Sequence, residues 1–454
     1  MSAALSGLEA VAHALAAAER AGAADADALV LENDAVEVRV RGAEIDFAKQ
    51  ARERGLGIRA FVNGGAGLSA AVTSTSDLSP EVIERMAGET VALARATAPD
   101  PHAGLPDDGF VADAPELGLI DARDREQTLE ARIERARQTE AAARASDPRI
   151  TNSEGSQASS DFARISFGNS RGLRAEYESA YHGLSCVPVA SDASGMQTDY
   201  WNSVARRLAD LEAPEAVGRE AARRALGRLG ARRVATAEVP VIFDPVTARG
   251  LVGNLVACLS GYAVYRESSF LAGRLGETIA SPRVTVIDDG RRPGGLGSKP
   301  FDGEGLPTRR NVVVQDGRLE SYLLDSYAAR KLGLVSTGNA GRGVGSGPGV
   351  AATNLWLEPG EATLDEIVAD TPRGLLVTGL FGHGFNPVTG DFSRGAAGTW
   401  IEHGERSHAV EEITIAGNFG RMLADVDAVG SDLRWLGRVA APSLRIARMT
   451  LAGE

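Results

Sequence analysis

From Val239 onward the chain alternates short apolar runs with turns, and this rhythm restricts the possible folds more than any other feature. "RVTVIDDG", "RRNVVVQDGRLESYLLDS", "TNLWLEPG", "RGLLVTGLFG", "GTWIEHGE" and "HAVEEITIAGN" each hold a run of strand length, and Gln315-Asp316-Gly317 and Glu402-His403-Gly404 read as hairpin turns. Few strand–helix–strand units of parallel-crossover length occur. The pattern therefore predicts an α+β fold of mixed, mainly antiparallel sheets with flanking helices.

The preceding half has another texture. Leu5, Leu8, Val11 and Leu15 fall on one helical face, and Val36, Val38 and Val40 alternate with Glu37, Arg39 and Arg41 as in a half-buried strand. Asn63-Gly64 predicts a tight hairpin, because that pair accepts positive φ. Ser79-Pro80 opens a helix, with Leu78 placed to staple onto Ile83. Further helices over 121–145 and 212–230 enclose strands between 149 and 206, so the first half can be read as two crude helix–strands–helix units. The basic stretch "ARRVATAEVP" leads into the next strand. The expected division is an N-terminal α+β domain over 1–230 and a strand-rich C-terminal domain over 231–454.

Bulk properties remove some function classes. The net charge of −13 repels phosphate backbones and argues against nucleic acid as a partner. No uncharged apolar run reaches about 18 residues, so no membrane span is expected. Two cysteines, Cys186 and Cys258, make no disulfide framework and fit a cytoplasmic location.

Catalytic chemistry is scarce. The six histidines, His13, His102, His182, His383, His403 and His408, follow no ligand spacing, and no H-E-x-x-H occurs. A triad of His383, Asp391 and Ser393 is conceivable in "GHGFNPVTGDFSRGAAG", but the three are sequence-local and no G-x-S-x-G elbow surrounds Ser393. A polar, Gly-rich turn region is the simpler reading. Cys258, beside Leu255 and Leu259, reads as core. The run "GNAGRGVGSGPG" lacks G-K-[ST] and reads as a flexible loop.

The segments "PVIFDP", "VYRESSF", "PFDGEG", "SYAARKLG", "STGNA", "TGDFSRGAAG", "VEEITIAGN" and "LRIARMTLAG" occur in this order. Together they resemble the TldD/PmbA family, also known as modulators of DNA gyrase. In that family the TldD branch is a zinc metallopeptidase with an H-E-x-x-x-H motif and a further Cys ligand. The PmbA branch, or TldE, lacks these residues and pairs with TldD. An ungapped alignment through "RESSFLAGRLGE" puts the two histidines at Val252 and Ala257 and the base at Gly253, with the Cys ligand near Leu436.

The resemblance thus implies a PmbA/TldE-type chain without catalytic residues or metal of its own. It implies a TldD-like partner carrying the zinc, and an extended peptide as substrate. His383, Asn386, Asp391, Ser393 and Arg394 are the residues expected to line the substrate cleft. A homodimer of the isolated chain stays open. So do an independent hydrolase using Ser393 or Cys258 and a gyrase-associated binding protein.

Overall fold

The structure is a computed structural model describing residues 5–107, 109–112 and 115–453. The first half runs α1 (Gly7–Arg20), β1 (Asp25–Arg41), β2 (Glu44–Gly64), β3 (Gly67–Thr75), α2 (Pro80–Ala96), α3 (Leu129–Ala145), β4 (Ile150–Asn169), β5 (Arg174–Asp192), β6 (Gly195–Thr198), β7 (Trp201–Ala205) and α4 (Pro214–Leu226). All seven strands join one antiparallel sheet of order β3-β2-β1-β4-β5-β6, with β7 also against β5. At its centre β1 and β4 pair from Asp27↔Asn169 to Val40↔Ser156. One face carries two helix pairs. Val11, Leu15, Ile83 and Val91 of α1 and α2 pack on Val30, Leu56 and Ile58. Ala136, Ala143, Val217 and Ala221 of α3 and α4 pack on Val38, Leu184 and Trp201.

The second half comprises β8 (Ala237–Phe243), α5 (Pro245–Leu259), α6 (Gly261–Tyr265), β9 (Val286–Asp289), β10 (Arg310–Gln315), β11 (Arg318–Leu319), α7 (Ser326–Leu332), β12 (Ala340–Gly341), β13 (Gly349–Val350), β14 (Leu355–Leu357), α8 (Leu364–Ala369), β15 (Arg373–Phe381), β16 (Asp391–Glu402), β17 (Glu405–Asn418), α9 (Phe419–Ala424), β18 (Val426–Val429), β19 (Arg434–Trp435), β20 (Val439–Ala441) and β21 (Leu444–Ala452). One sheet has the order β11-β10-β9-β14-β20-β19. The other runs β17-β16-β15-β8-β21-β18, and a further β17–β21 pairing closes five of its strands into a ring. Among the strand pairs of the described residues, only β8–β15 and β14–β20 are parallel. The fold is α+β and mainly antiparallel, as the sequence pattern predicts.

Helix α5 supplies the centre of the second core. Leu251, Leu255, Cys258 and Leu259 lie among Val241, Phe243, Val286, Leu355, Leu375 and Ile446, all buried. Asp244 caps it, accepting from Thr247 N at 2.8 Å, and Pro245 takes the first helical position.

Two turns fall where local chemistry puts them. Asp316-Gly317 and His403-Gly404 carry φ of 47° and 82°, and 55° and 77°, between β10 and β11 and between β16 and β17. The tight hairpin expected at Asn63-Gly64 forms between β2 and β3, but its turn lies just beyond that pair, after the Gly64↔Gly67 pairing. Asn63 is still paired with Leu68, and the positive φ falls on Gly67 at 143°. A Cβ on Gly67 would meet Asp100 O at 2.5 Å, so the close approach of the 100-region loop fixes glycine there.

Candidate functional cleft

The open side of α5 carries Arg249 and three small residues. Arg249, Gly250 and Gly253 are half-buried, Ala257 is exposed, and a Cβ added at Gly250 or Gly253 would meet nothing within 4 Å. Val252 points the other way, 4% exposed in the apolar core with Val284, Phe419, Met422 and Ile446. Five residues along an α-helix turn through roughly 500°, leaving Val252 and Ala257 about 140° apart. Gly253 and Ala257 share a face. Leu436, 8% exposed, packs with Trp201 and Val246 in a separate cluster, and its carbonyl accepts from Arg249 Nη1 at 2.8 Å. Val252 and Ala257 therefore project from different sides of α5.

After α5 the chain makes a pinned turn. Ser269 Oγ donates to Cys258 O (2.7 Å) and accepts from Leu271 N (3.1 Å), while Ser268 N donates to Ala263 O (2.8 Å). Glu267 sits at φ 53°, an uncommon value for a non-glycine residue. Tyr262 and Tyr327 stack at 5.8 Å, and Arg266 lies over Tyr262 and Tyr265 at 5.7 and 5.4 Å. Phe270 N donates to Pro387 O at 2.9 Å, tying this turn to the β15–β16 hairpin tip.

That tip holds the residues expected to line a cleft, and most of them do turn-forming work. Asn386 N donates to Asp391 O (2.9 Å), and Asn386 O and Oδ1 accept from Gly390 N (2.8 Å) and Val388 N (2.9 Å). Asp391 Oδ2 accepts from Thr389 Oγ1 at 2.7 Å. Ser393 N donates to Gly384 O at 2.7 Å. His383 is exposed, and among the described residues no hydrogen bond links it to Asp391 or Ser393, so no triad is assembled. Arg394 differs. It is half-buried, its Nε has no partner among the described residues, and burial lowers its pKa from the ordinary guanidinium value.

The free thiols carry no nucleophile. Cys258 and Cys186 are wholly buried, and burial pushes each up to about 12. Among the described residues no group of three His, Cys, Asp or Glu side chains is placed to hold a metal, and no helix is long and apolar enough to cross a membrane.

The motif segments build something periodicity does not reveal. Asp27 of β1, wholly buried, pairs with Arg59 of β2 and with Arg342 (2.5 Å). Burial works to raise the Asp27 carboxyl, but Arg342 and Arg59 outweigh it and hold it below the usual range. Arg59 reaches Glu304 at 4.0 Å, and Glu304 Oε2 accepts from Ser326 N at 2.8 Å. Asp325 caps α7 through Ala328 N (2.7 Å) and accepts from Tyr262 Oη (3.0 Å). Burial raises Glu304, against the pull of Arg59 and helped by Asp302 and Asp325. Asp288 accepts from Asn339 Nδ2 (2.7 Å) and from Thr353 N (2.7 Å) and Oγ1 (2.9 Å), yet burial still pushes it up to about 6. "PFDGEG", "STGNA" and the start of "SYAARKLG" thus contribute to a buried polar junction between the two halves. The available signal was acids set among glycines in otherwise apolar surroundings.

Known proteins share this architecture. Residues 236–453, 123–229 and 26–94 match, in turn, the PmbA/TldA metallopeptidase C-terminal domain, central domain and domain 1. The chain is 38% identical over 431 residues to metalloprotease PmbA of Escherichia coli O157:H7, covering 94% of this chain and 92% of that one. It is 35% identical over 449 residues to a metalloprotease PmbA homolog of Haemophilus influenzae, covering 98% and 96%. Among solved structures, a putative modulator of DNA gyrase from Bacteroides thetaiotaomicron superposes with TM-score 0.90 at 27% identity, covering 98% of both chains. TldE from Thermococcus kodakarensis gives 0.87 at 25%, covering 98% of this chain and 100% of that one.

Proposed function

Because the chain belongs to the PmbA/TldD metallopeptidase family, we propose that it is the TldE-type, non-catalytic subunit of a heterodimeric TldD–TldE peptidase that processes or degrades extended peptides. The observation that carries this reading is α5. Val252, Gly253, Ala257 and Leu436 offer no side-chain nitrogen, oxygen or sulfur donor, so these residues do not fit a zinc ion. The metal and the water-activating carboxylate then belong to a TldD-like partner, and this chain completes and shapes the cleft. The buried thiols and the unassembled His383, Asp391 and Ser393 leave an independent hydrolase without a nucleophile. On this reading the protein is cytoplasmic and divides near residues 230 and 231, with the hairpin tip at 383–394 beside the peptide path.

Co-expression with a TldD-type chain tests it. The expected result is a heterodimer by sizing, chelator-sensitive peptide cleavage by the pair, and neither stoichiometric zinc nor cleavage from this chain alone. Zinc-dependent cleavage by the lone chain, or a pull-down yielding gyrase and no TldD-type chain, would overturn it.

A further inference from the structure

The two helix pairs pack on separate stretches of the first sheet, and the strands between them stay open. On β1 the helix-facing alternation runs Val30, Glu32, Asp34, Val36, Val38. Val30 is buried under α1 and α2 and Val38 under α3 and α4, whereas the three residues between them are half-buried. The gap holds two adjoining hollows of about 730 and 560 Å³, which share Asp34, Arg52, Arg125 and Phe162. Each lies in the size range of small-molecule sites.

The smaller hollow reaches the start of α3. Arg132 of α3 lines it and is 5% exposed. Its Nη1 donates to Gln127 O and to Thr128 O (3.3 Å). Among the described residues its Nε has no hydrogen-bond partner, Nη2 makes no hydrogen bond, and no carboxylate comes within ion-pair distance. The Nε–Nη2 edge, which a carboxylate or phosphate meets with two parallel bonds, is therefore uncommitted. A buried guanidinium without an anion is costly. Burial holds its pKa below the ordinary guanidinium value, Arg135 adds to this, and Asp34 opposes it.

The nearby acids are engaged elsewhere. Asp34 accepts from Arg52 Nε (3.0 Å) and Gln50 Nε2 (3.2 Å). Glu178 accepts from Arg164 Nη2 (2.8 Å) and Arg125 Nη2 (3.2 Å). Asp124, in the short 3₁₀ turn Ala122–Glu126, lies 3.3 Å from the buried His182 and accepts from Leu208 N (2.9 Å). Glu130, in the first turn of α3, is exposed and lines neither hollow. The larger hollow sets Arg54 against Glu32 and Glu53, so it holds no excess of positive charge. In the smaller one Asp34 faces Lys49, Arg52, Arg125 and Arg132, a local inversion in a chain of net charge −13. The N-terminal end of α3 adds to that positive field. Val36, Leu129 and Phe162 line the same hollow, and Arg125 lies over the Phe162 ring at 4.7 Å.

We propose that this hollow binds a small organic anion, a carboxylate or phosphate carried on an aromatic or aliphatic body. Arg132 takes two oxygens through its Nε–Nη2 edge. Arg125 and Lys49, both exposed, add positive charge, and the body lies against Val36, Leu129 and Phe162. The site is built by this chain alone and needs no TldD-type partner.

Isothermal titration calorimetry of the full-length chain at low salt tests this with four probes: phenyl phosphate, phenylacetate, inorganic phosphate and the neutral 2-phenylethanol. Phenyl phosphate or phenylacetate should bind at least about tenfold more tightly than 2-phenylethanol, with the advantage shrinking as salt rises. Whichever binds more tightly identifies the preferred oxyanion. Inorganic phosphate should bind more weakly than that preferred anion, because it leaves the apolar wall uncovered.

Arg132→Gln should lose roughly tenfold or more for the preferred anion and nothing for the alcohol, with partial rescue by Arg132→Lys. The preferred anion should raise the melting temperature of the parent and not of Arg132→Gln. That variant also loses the bonds to Gln127 O and Thr128 O, so Arg125→Gln, on an exposed side chain whose partner Glu178 keeps Arg164, is made beside it. It should lose roughly threefold at unchanged melting temperature. Equal binding of the organic anions and the alcohol, inorganic phosphate as tight as the preferred anion, or a folded Arg132→Gln protein that keeps the parent affinity overturns the proposal. Should Arg132→Gln fail to fold, an Arg125→Gln protein that keeps the parent affinity does so.

Discussion

At the residue scale, Asp27 has the most to lose. Its carboxylate serves two buried guanidiniums, Arg59 and Arg342, and truncating it strands both. Asp27→Ala should cost about 3–5 kcal/mol, the usual consequence of breaking a buried pair from one side. The measurement is the denaturant midpoint at constant slope. Asp288 behaves oppositely with pH. Its folded value of about 6 lies above the unfolded carboxylate value, so between roughly pH 4 and 6 the native state holds the extra proton. Its contribution is complete below that window and declines as pH rises through it. Asp288→Asn should remove this decline. The stability of the variant relative to the parent should rise by up to about 3 kcal/mol from pH 4 to pH 7, read from urea melts across pH. A flat difference would show that Asp288 does not titrate in that range.

At the scale of elements, two glycines predict opposite outcomes. Gly253 lies within α5 with open space beside it, so Gly253→Ala should stabilise the lone chain by about 0.5–1 kcal/mol. Gly384 faces Ser393 O, and a Cβ there would stand 1.6 Å away. Gly384→Ala should therefore open the hairpin tip and cost at least about 1–3 kcal/mol, visible as a lower melting temperature and faster amide exchange at Ser393.

The same contrast explains what was legible. Asp316-Gly317 and His403-Gly404 were readable because a two-residue hairpin needs positive φ from its own residues. Asn63-Gly64 pointed to the right hairpin but not to the residue with positive φ, Gly67, because its close contact with Asp100 is tertiary. The five residues picked around the hairpin tip were chosen for their chemistry, yet Asn386 and Asp391 are occupied by local turn bonds, and among the described residues the half-buried Arg394 Nε has no hydrogen-bond partner. The Asp27–Arg342 pair spans 315 residues of sequence, and Arg249 meets the Leu436 carbonyl across 187. No windowed pattern connects such partners.

At the scale of the whole molecule, the two halves share buried charge as well as surface. Arg59 and Asp27 of the first half meet Glu304 and Arg342 of the second, and Arg330 donates to His102 O (2.6 Å) and Leu105 O (2.6 Å). Separating the halves would expose ions whose partners lie across the junction. One cooperative unfolding transition is expected by calorimetry. A protease nick engineered between residues 228 and 236 should leave two fragments that co-elute on sizing until denaturant is added.

The ring in the second half has a consequence for how the protein is made. β8 is flanked by β15 on one side and β21 on the other. On a ribosome, Val239, Val241 and Phe243 emerge early, but the strand that covers one of their edges follows roughly 200 residues later, a wait of about 10–40 s at ordinary elongation rates. The first sheet, complete at Ala205, has a shorter longest wait, that of β1 for β4. β15, the other neighbour of β8, also comes well after it, so for most of the wait for β21 an apolar strand stands unpaired, open to chaperones and to neighbouring nascent chains. Slowing translation through the second half lengthens that exposure without changing the stability of the finished molecule.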